Sequence, residues 1–292
     1  MSNRIELRHL KYFMAVAEEL HFRKAADRLF ISQPGLSRQI KQMEDDLGVK
    51  LFERLNKKVF LTVAGAYLKK EVALSLSNLE NIFEYTKLID AGVEGKIKMG
   101  YVGSAMQNIV PQLLLNIREK YKNIQFDLKE MDNPKQIKAL LSQEIDIAFI
   151  RMEKVPHELK IKPIFEDTFS LVLPKNHPID QHNFSGLSQF KDESFIFIEP
   201  SYSPDYYEEI MEIFRASGFA PIVSHNSVHA STIFRLVENN LGISIVPTIL
   251  QHGYNMNVKF IELKSVSQRT VLSVAWNVNS RNPMLKNIME FI

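Results

Sequence analysis

The sequence predicts an α+β, multidomain fold: a helical head closed by a small two-stranded wing, one long helix, and a two-lobed α/β region. Three observations carry this. Apolar residues recur at helical spacing in three short blocks before residue 48, and two short β-type runs follow. From residue 63 to 91 there is no proline, and no glycine after Gly65. From residue 96 onward, short apolar runs alternate with helical patterns, as crossover connections in a parallel sheet require. The expected domains are 1–62, a long helix over 63–91, and 92–292. Within the last, one lobe takes about 93–166 and 268–292, the other about 167–267.

Leu7, Leu10, Phe13, Met14 and Ala17 form the stripe of a first helix over 7–19. A second short helix runs over 23–29, where Ala25 and Ala26 let a neighbour approach closely. In the third, ISQPGLSRQIKQMEDDLG, Leu36, Ile40, Met43 and Leu47 are spaced 4, 3 and 4, one face of a helix. Ser32 is its N-cap, Pro34 sits in the first turn where its missing N–H is no loss, and Gly48 ends it. Two helices, a tight turn and a third helix with a polar face describe a helix-turn-helix. The runs 49–52 and 59–61 then read as a two-stranded wing with residues 53–58 at its basic tip. In the long helix, positions 65, 68, 72, 75, 79, 82, 86 and 89 alternate in steps of 3 and 4, a heptad seam that pairs with a second copy. Residues 92–95 read as a linker. Strands are expected at 96–102, 124–130, 146–150, 169–174, 194–198, 243–247, 260–263 and 271–276. Helices are expected at 105–121, 134–143, 205–217, 229–240 and 285–292.

Composition excludes several classes. The 292 residues contain no cysteine, so disulfides, cysteine-bound metals and thiol nucleophiles are out. No apolar run approaches the roughly 18 residues of a membrane span. The N-terminus MSNRIELRHLKYF lacks the apolar core of a signal peptide, so a cytoplasmic protein without a membrane partner is expected. Residues 1–65 hold 12 Lys+Arg against 8 Asp+Glu, an excess of +4, whereas the remainder holds 24 against 26. The head therefore carries a mild basic footprint of the kind that meets phosphates.

That footprint and the polar face of the third helix point to duplex DNA. Gln33 and Arg38 make paired hydrogen bonds to base edges in a major groove. Ser32, Pro34 and Lys41 share the exposed N-terminal face with them, and Ser37 and Thr62 are phosphate contacts. Arg54, Lys57 and Lys58 on the wing neutralise phosphates. The bland alternative is a solvated helix face in a bundle.

The stretch from Ala17 to Gly65 closely resembles the DNA-binding head of LysR-type transcriptional regulators, through its ordered HF, AA, SQP, LSRQI, LG, LFER and LT.AG. The resemblance continues through MGYVGS (99–104), DIAFIR (146–151) and LGISIVP (241–247), and is greatest to regulators of aromatic-acid and acetoin or acetate metabolism. It implies a winged helix-turn-helix, a dimerising linker helix and a two-lobed effector domain like a periplasmic solute-binding protein. It also implies a homotetramer, a dimer of dimers, on an interrupted inverted repeat of double-stranded DNA, with contact to RNA polymerase.

Gly103 and Ser104 end one strand and open a helix, a place where free N–H groups suit a carboxylate. Carried over from the resemblance, Ser104, Asn133, Arg151 and the stretch 200–206, with Pro200 and Tyr206, face an effector, a small organic acid. Regulators of muconate type carry threonine where this chain has Asn133, which leaves the ligand open. Ser104 as a plain cap and Arg151 as a structural ion pair are the alternatives. Residues 166–168 and 265–269 are expected to cross between lobes as hinges. His225 and His229 stand four apart, but no third metal ligand accompanies them, so no metal or cofactor is expected. A rival class, an enzyme or solute carrier fused to a DNA-binding head, lacks both a nucleophile–base arrangement and a signal peptide.

Overall fold

The computed structural model describes residues 5–55, 58–90 and 95–292, and falls into two compact units, up to Phe83 and from Glu84. In the first unit, α1 (Leu7–Glu19), α2 (Phe22–Arg28) and α3 (Gln33–Leu47) precede β1 (Phe52–Leu55) and β2 (Lys58–Leu61), which pair antiparallel. Their core is Phe13, Val16, Ala25, Leu36, Ile40, Met43, Leu51 and Phe52. The Phe52 ring stands 5.5 Å from Phe13 and 5.8 Å from Phe22, so the wing is pinned by aromatic packing. Ser32 caps α3 by accepting the Gly35 N–H at 3.3 Å, and Gly48 ends it in the left-handed region, φ 70°.

Two expectations for the head need correction. Leu47 does not continue the buried stripe; it is 40% exposed. Glu44 turns inward instead, and its carboxylate accepts the N–H groups of Leu51 at 2.8 Å and Phe52 at 3.1 Å. A charged residue at that position hides the inward face from a hydrophobicity pattern. The wing strands also lie further along than 49–52: residues 53–55 belong to β1, not to the tip. Lys57 and the linker residues 92–94 lie outside the described residues, as do the side chains of Arg54 and Ile89.

The long helix α4 runs Val63–Asp90. Along its seam Val72 is buried and Leu68 and Leu79 are partly buried, whereas Ser75 and Thr86 are exposed and Ile82 is 51% exposed. Gly65 is there for space: a Cβ would lie 2.1 Å from the Leu51 carbonyl oxygen.

In the second unit, β3 (Gly95–Tyr101) leads through a short 3-10 turn (Gly103–Gln107) into α5 (Ile109–Lys120), β4 (Ile124–Glu130), α6 (Asn133–Leu141), β5 (Ile147–Ile150) and β6 (Leu159–Asp167). Next come β7 (Phe169–Pro174), β8 (Ser194–Ile198), α7 (Pro204–Ala216), β9 (Ile222–Ser227), α8 (Ala230–Glu238), β10 (Ser244–Pro247) and β11 (Val258–Glu262). The chain closes with β12 (Thr270–Asn277) and α9 (Leu285–Ile288). The first lobe is a five-stranded sheet, β4-β3-β5-β12-β6. It is mixed rather than wholly parallel: β4, β3 and β5 run together, and β12, returning from the other lobe, is antiparallel to β5 and β6. Both faces are covered. Ile147 and Phe149 of β5 join the core under α5 and α9, while Ala148 and Ile150 join the one under α6. That is why β5 is apolar without alternation. The second lobe holds β10-β7-β11 and the parallel pair β8-β9, linked by the Ile196 N–H donating to the Ile243 carbonyl and the Ile243 N–H donating to the Ser194 carbonyl. Phe195, Phe197 and Phe214 fill the core under α7, and Ile233, Phe234 and Val237 of α8 fill the opposite one. The chain passes between lobes at Thr168 and again between Glu262 and Thr270.

The expected helix over 105–121 is broken at Asn108 (φ −152°). Pro111 explains the break, because a helix continuous from residue 105 needs an N–H there to reach residue 107. Strands β6 and β9 were not expected. Strand β6 is an edge strand containing Pro163, tolerated beside a bulge opposite Leu272 and Ser273. Strand β9 is almost wholly exposed and polar, so it lacks a buried alternation.

Gly65→Ala, normally stabilising in a helix, should here destabilise the protein by about 1–3 kcal/mol through overpacking. Urea unfolding of the two proteins checks the sign.

Candidate functional site

The basic surface of the head is built on the first turns of α3. Gln33, Pro34, Arg38 and Lys41 are exposed, and Ser37 is partly so. The Gln33 amide donates to Ser37 Oγ at 3.0 Å, which orients it along the helix face. Gln33 also shares a concavity of about 320 Å³ with Lys58 of β2, with His21, the N-cap of α2, and with Arg23 of α2. Neither His21 nor Arg23 was picked out from the sequence; both sit at the start of a short helix, and only the fold brings that start beside Gln33. Ser32 keeps its hydroxyl proton free while capping. Thr62 does not: its hydroxyl donates to the Lys50 carbonyl at 2.7 Å and accepts the Gly65 N–H at 2.9 Å. Its hydroxyl joins the wing to α4 and caps that helix. Phe30, in the turn before α3, is 95% exposed with φ 55°.

The second site is a cavity of about 230 Å³ between the lobes of the second unit. It opens where strands end. Ser104 follows β3, Glu130 ends β4, Arg151 follows β5, and His229 follows β9 and opens α8; all four line it. From the second lobe come Tyr202, Tyr206, Ser231 and Tyr254, with Val228, Pro247 and Leu250 as apolar wall. The first-turn amides of Ala230 and Ser231 have no acceptor within α8. His229 Nδ1 lies 3.3 Å from Glu130 Oε1, and Gln107 Nε2 donates to Tyr254 Oη at 3.1 Å, two contacts that cross from lobe to lobe.

Arg151 is 5% exposed and saturated on most sides. Its Nε donates to Ser104 Oγ at 3.0 Å, Nη1 to Thr270 Oγ1 at 3.1 Å and to the Thr270 carbonyl at 3.3 Å, and Nη2 to Asp167 Oδ2 at 3.4 Å. Burial lowers the guanidinium from its ordinary value, with Asp167 opposing. Burial likewise lifts Asp167 above the usual carboxylate range, against the pull of Arg151 and the Ile249 N–H. The ion-pair reading of Arg151 thus describes its contacts, and its charge reaches the cavity through Ser104. Ser104 accepts from Arg151 and retains its own proton to donate.

Of the other expected effector residues, Tyr206 lines the cavity but its hydroxyl donates to the Ile245 carbonyl at 3.3 Å, and burial raises its pKa. Asn133 is wholly buried behind the wall. Its amide donates to the Arg151 carbonyl at 2.8 Å and to Ser203 Oγ at 2.9 Å, and its own oxygen accepts the Arg151 N–H. It is a bolt, not a lining residue. Pro200 lies outside the cavity lining. Sequence reasoning missed Glu130 and the tyrosines 101 and 254, and weighed His229 only as a metal ligand; Tyr202 falls in the expected stretch 200–206. The hydroxyls of all three tyrosines are raised, first by burial and then by the charge of Glu130. The rule that selected Ser104, a residue at the carboxyl end of a strand, applies equally to Glu130 and His229.

A DNA-binding head joined to a two-lobed, cleft-bearing domain defines an effector-responsive regulator. Comparison with known proteins agrees. Residues 7–66 match the bacterial regulatory helix-turn-helix protein, lysR family, and residues 90–292 match the LysR substrate binding domain. The chain is 30% identical to the HTH-type transcriptional regulator AlsR of Bacillus subtilis, over 98% of this chain and 95% of that one. It is 32% identical to the HTH-type transcriptional regulator BenM of Acinetobacter baylyi, over 99% and 95%. In fold it matches CbnR crystallised with its target DNA, at a TM-score of 0.72 and 23% identity, over 99% of both chains. The protein belongs to the LysR family of DNA-binding transcriptional regulators.

Arg151→Met strands a buried Asp167 and should cost about 3–5 kcal/mol. The Asp167 carboxyl is raised in the folded state, so its contribution is full at low pH and shrinks as pH rises. Loss of the Arg151 charge, which opposes burial, raises Asp167 further in the variant, so its deficit should widen as pH rises in chemical unfolding.

Proposed function

We propose that this regulator is controlled by a small organic acid bound in the interlobe cleft. The observation that carries the reading is the convergence on one cavity of hydrogen-bond donors from both lobes: the Ser104 hydroxyl, backed by Arg151, faces the first turn of α8 with Ser231 and His229. Donors from two lobes connected by two chain crossings reward closure when an anion binds both. Closure then alters how effector domains pack in an oligomer and how the heads are spaced on DNA. The oligomer is a dimer of dimers, paired along α4, on an interrupted inverted repeat. In support, α4 is about 42 Å long and leaves Ile82 and Phe83 more than half exposed. The exposed face of α3 reads bases, with Arg38 and Gln33 as readers and Lys41, Arg54, Lys57 and Lys58 on phosphates. The altered spacing is passed to RNA polymerase, in the cytoplasm. BenM and CbnR are full-length solved relatives of the same two-domain build.

Footprinting of the DNA upstream of the gene, with and without a panel of small carboxylates, tests the effector reading. A ligand that binds the cleft should change the length or pattern of the footprint; binding with an unchanged footprint and unchanged transcription defeats it. Arg38→Ala should weaken operator binding by about 1–3 kcal/mol and relax preference over random DNA. Lys58→Ala should weaken all sequences alike and reduce the salt slope by about one unit. Equal losses on operator and random DNA for Arg38→Ala would remove it from the base readers.

A further inference from the structure

The interlobe cavity is not lined for an anion alone. Beside its donors stands a carboxylate, Glu130, at the end of β4. Glu130 Oε1 lies 3.3 Å from His229 Nδ1 across the cleft, and a Cβ on Gly103 would meet it at 3.0 Å. The carboxylate thus borders both donor groups: Gly103 and Ser104 in one lobe, the start of α8 in the other. Among the described residues no lysine or arginine stands at ion-pair distance from it. Arg151, the one lysine or arginine in the lining, already donates to Ser104, Thr270 and Asp167.

A second polar group in the same wall has no partner at all. Tyr202 Oη is one of three buried side-chain oxygens without a hydrogen bond among the described residues. The residue is nonetheless held in place. Its carbonyl accepts the Asn133 N–H at 3.2 Å, its own N–H donates to the Glu199 carbonyl at 2.9 Å, and its ring packs on the core of the first lobe. Tyr101, opposite Glu130 in the register of β3 and β4, continues that wall. A buried hydroxyl without a partner is destabilising, and so is a carboxylate shut away from water with no donor or cation to meet it.

A plain acid in this cleft satisfies the donors and leaves Glu130 facing a second anion. An acid that also carries a hydrogen-bond donor gives Glu130 a partner and the Tyr202 hydroxyl a neighbour to bond. Because Glu130 borders Gly103 and His229, that donor belongs on the carbon next to the ligand's carboxylate. We propose that the effector is a 2-substituted acid bearing a hydroxyl or an ammonium, its carboxylate held by Ser104 and the first turn of α8, its second group held by Glu130 and the Tyr202 hydroxyl. The inference rests on the small-acid reading of the cleft and narrows it. A site built to bond such a group rejects the analogue lacking it, because its own polar atoms are then left unpaired.

The full chain is titrated calorimetrically with matched sets, each a plain acid with its 2-hydroxy and 2-amino forms: propionate, lactate and alanine; succinate, malate and aspartate; phenylacetate, mandelate and phenylglycine. Chiral members are used as both enantiomers. In at least one set a donor-bearing member should bind about tenfold or more tighter than the plain acid. Preference for the hydroxy form assigns a hydroxyl, and preference for the amino form an ammonium. Glu130→Leu, which keeps no acceptor, should collapse that ratio. Tyr202→Phe removes only the unpartnered oxygen; it should lower the ratio severalfold while the melting temperature of the free protein does not fall. A merely structural role for either residue would change all members of a set alike. Equal binding within every set, or an unaltered ratio in either folded variant, overturns the inference and leaves the small-acid reading standing. No binding by any probe removes both.

Discussion

The second unit depends on one buried cation. Arg151 joins the end of β5 to Ser104 at the cleft, to Thr270 where the chain returns from the second lobe, and to Asp167 where it leaves. A guanidinium removed from water must have its donors satisfied, and here two of its three acceptor residues, Asp167 and Thr270, flank the crossings between lobes. Asn133 fixes the backbone of Arg151 from behind and holds Ser203 of the other lobe. The cleft, the tie and the two crossings are therefore one hydrogen-bonded system. A ligand that engages Ser104 acts on the joint between lobes without touching the joint itself.

The head obeys a different constraint. Its three helices bury a small core, and the wing is attached by Phe52 in that core and by the Glu44 carboxylate on the first wing amides. Thr62 and Gly65 join the wing to α4 with a shared hydroxyl and a close backbone approach. The exposed face of α3 is thus mounted on a packed body, which suits the base-reading role proposed for it.

Much of this was legible in the residues. The cap at Ser32, the stop at Gly48 and the stripe Leu36, Ile40 and Met43 define α3 by local rules alone. The continuous apolar run of β5 and the strand-end position of Ser104 likewise follow from periodicity and from where ligands sit in α/β sheets. What was not legible depends on long-range pairing. Strand β6 looks like a broken run because of Pro163, and only its edge position makes it a strand. Leu47 fits the stripe but falls beyond the reach of the core, while the charged Glu44 does not fit and is buried. Asn133 and Thr62 have the chemistry of ligand contacts; the partners that hold them are set by the fold. Glu130 and His229 come together across 99 positions of sequence, and no spacing announces that.

The central claim is that a small acid closes the cleft and so moves the joint at Arg151. Hydrogen–deuterium exchange of the full chain, with and without a carboxylate that alters its footprint, tests this most directly. Protection is expected at 102–107 and 229–233 together with altered exchange at 166–169 and 265–270. Protection confined to other surfaces, or an unchanged joint under a saturating ligand, contradicts it.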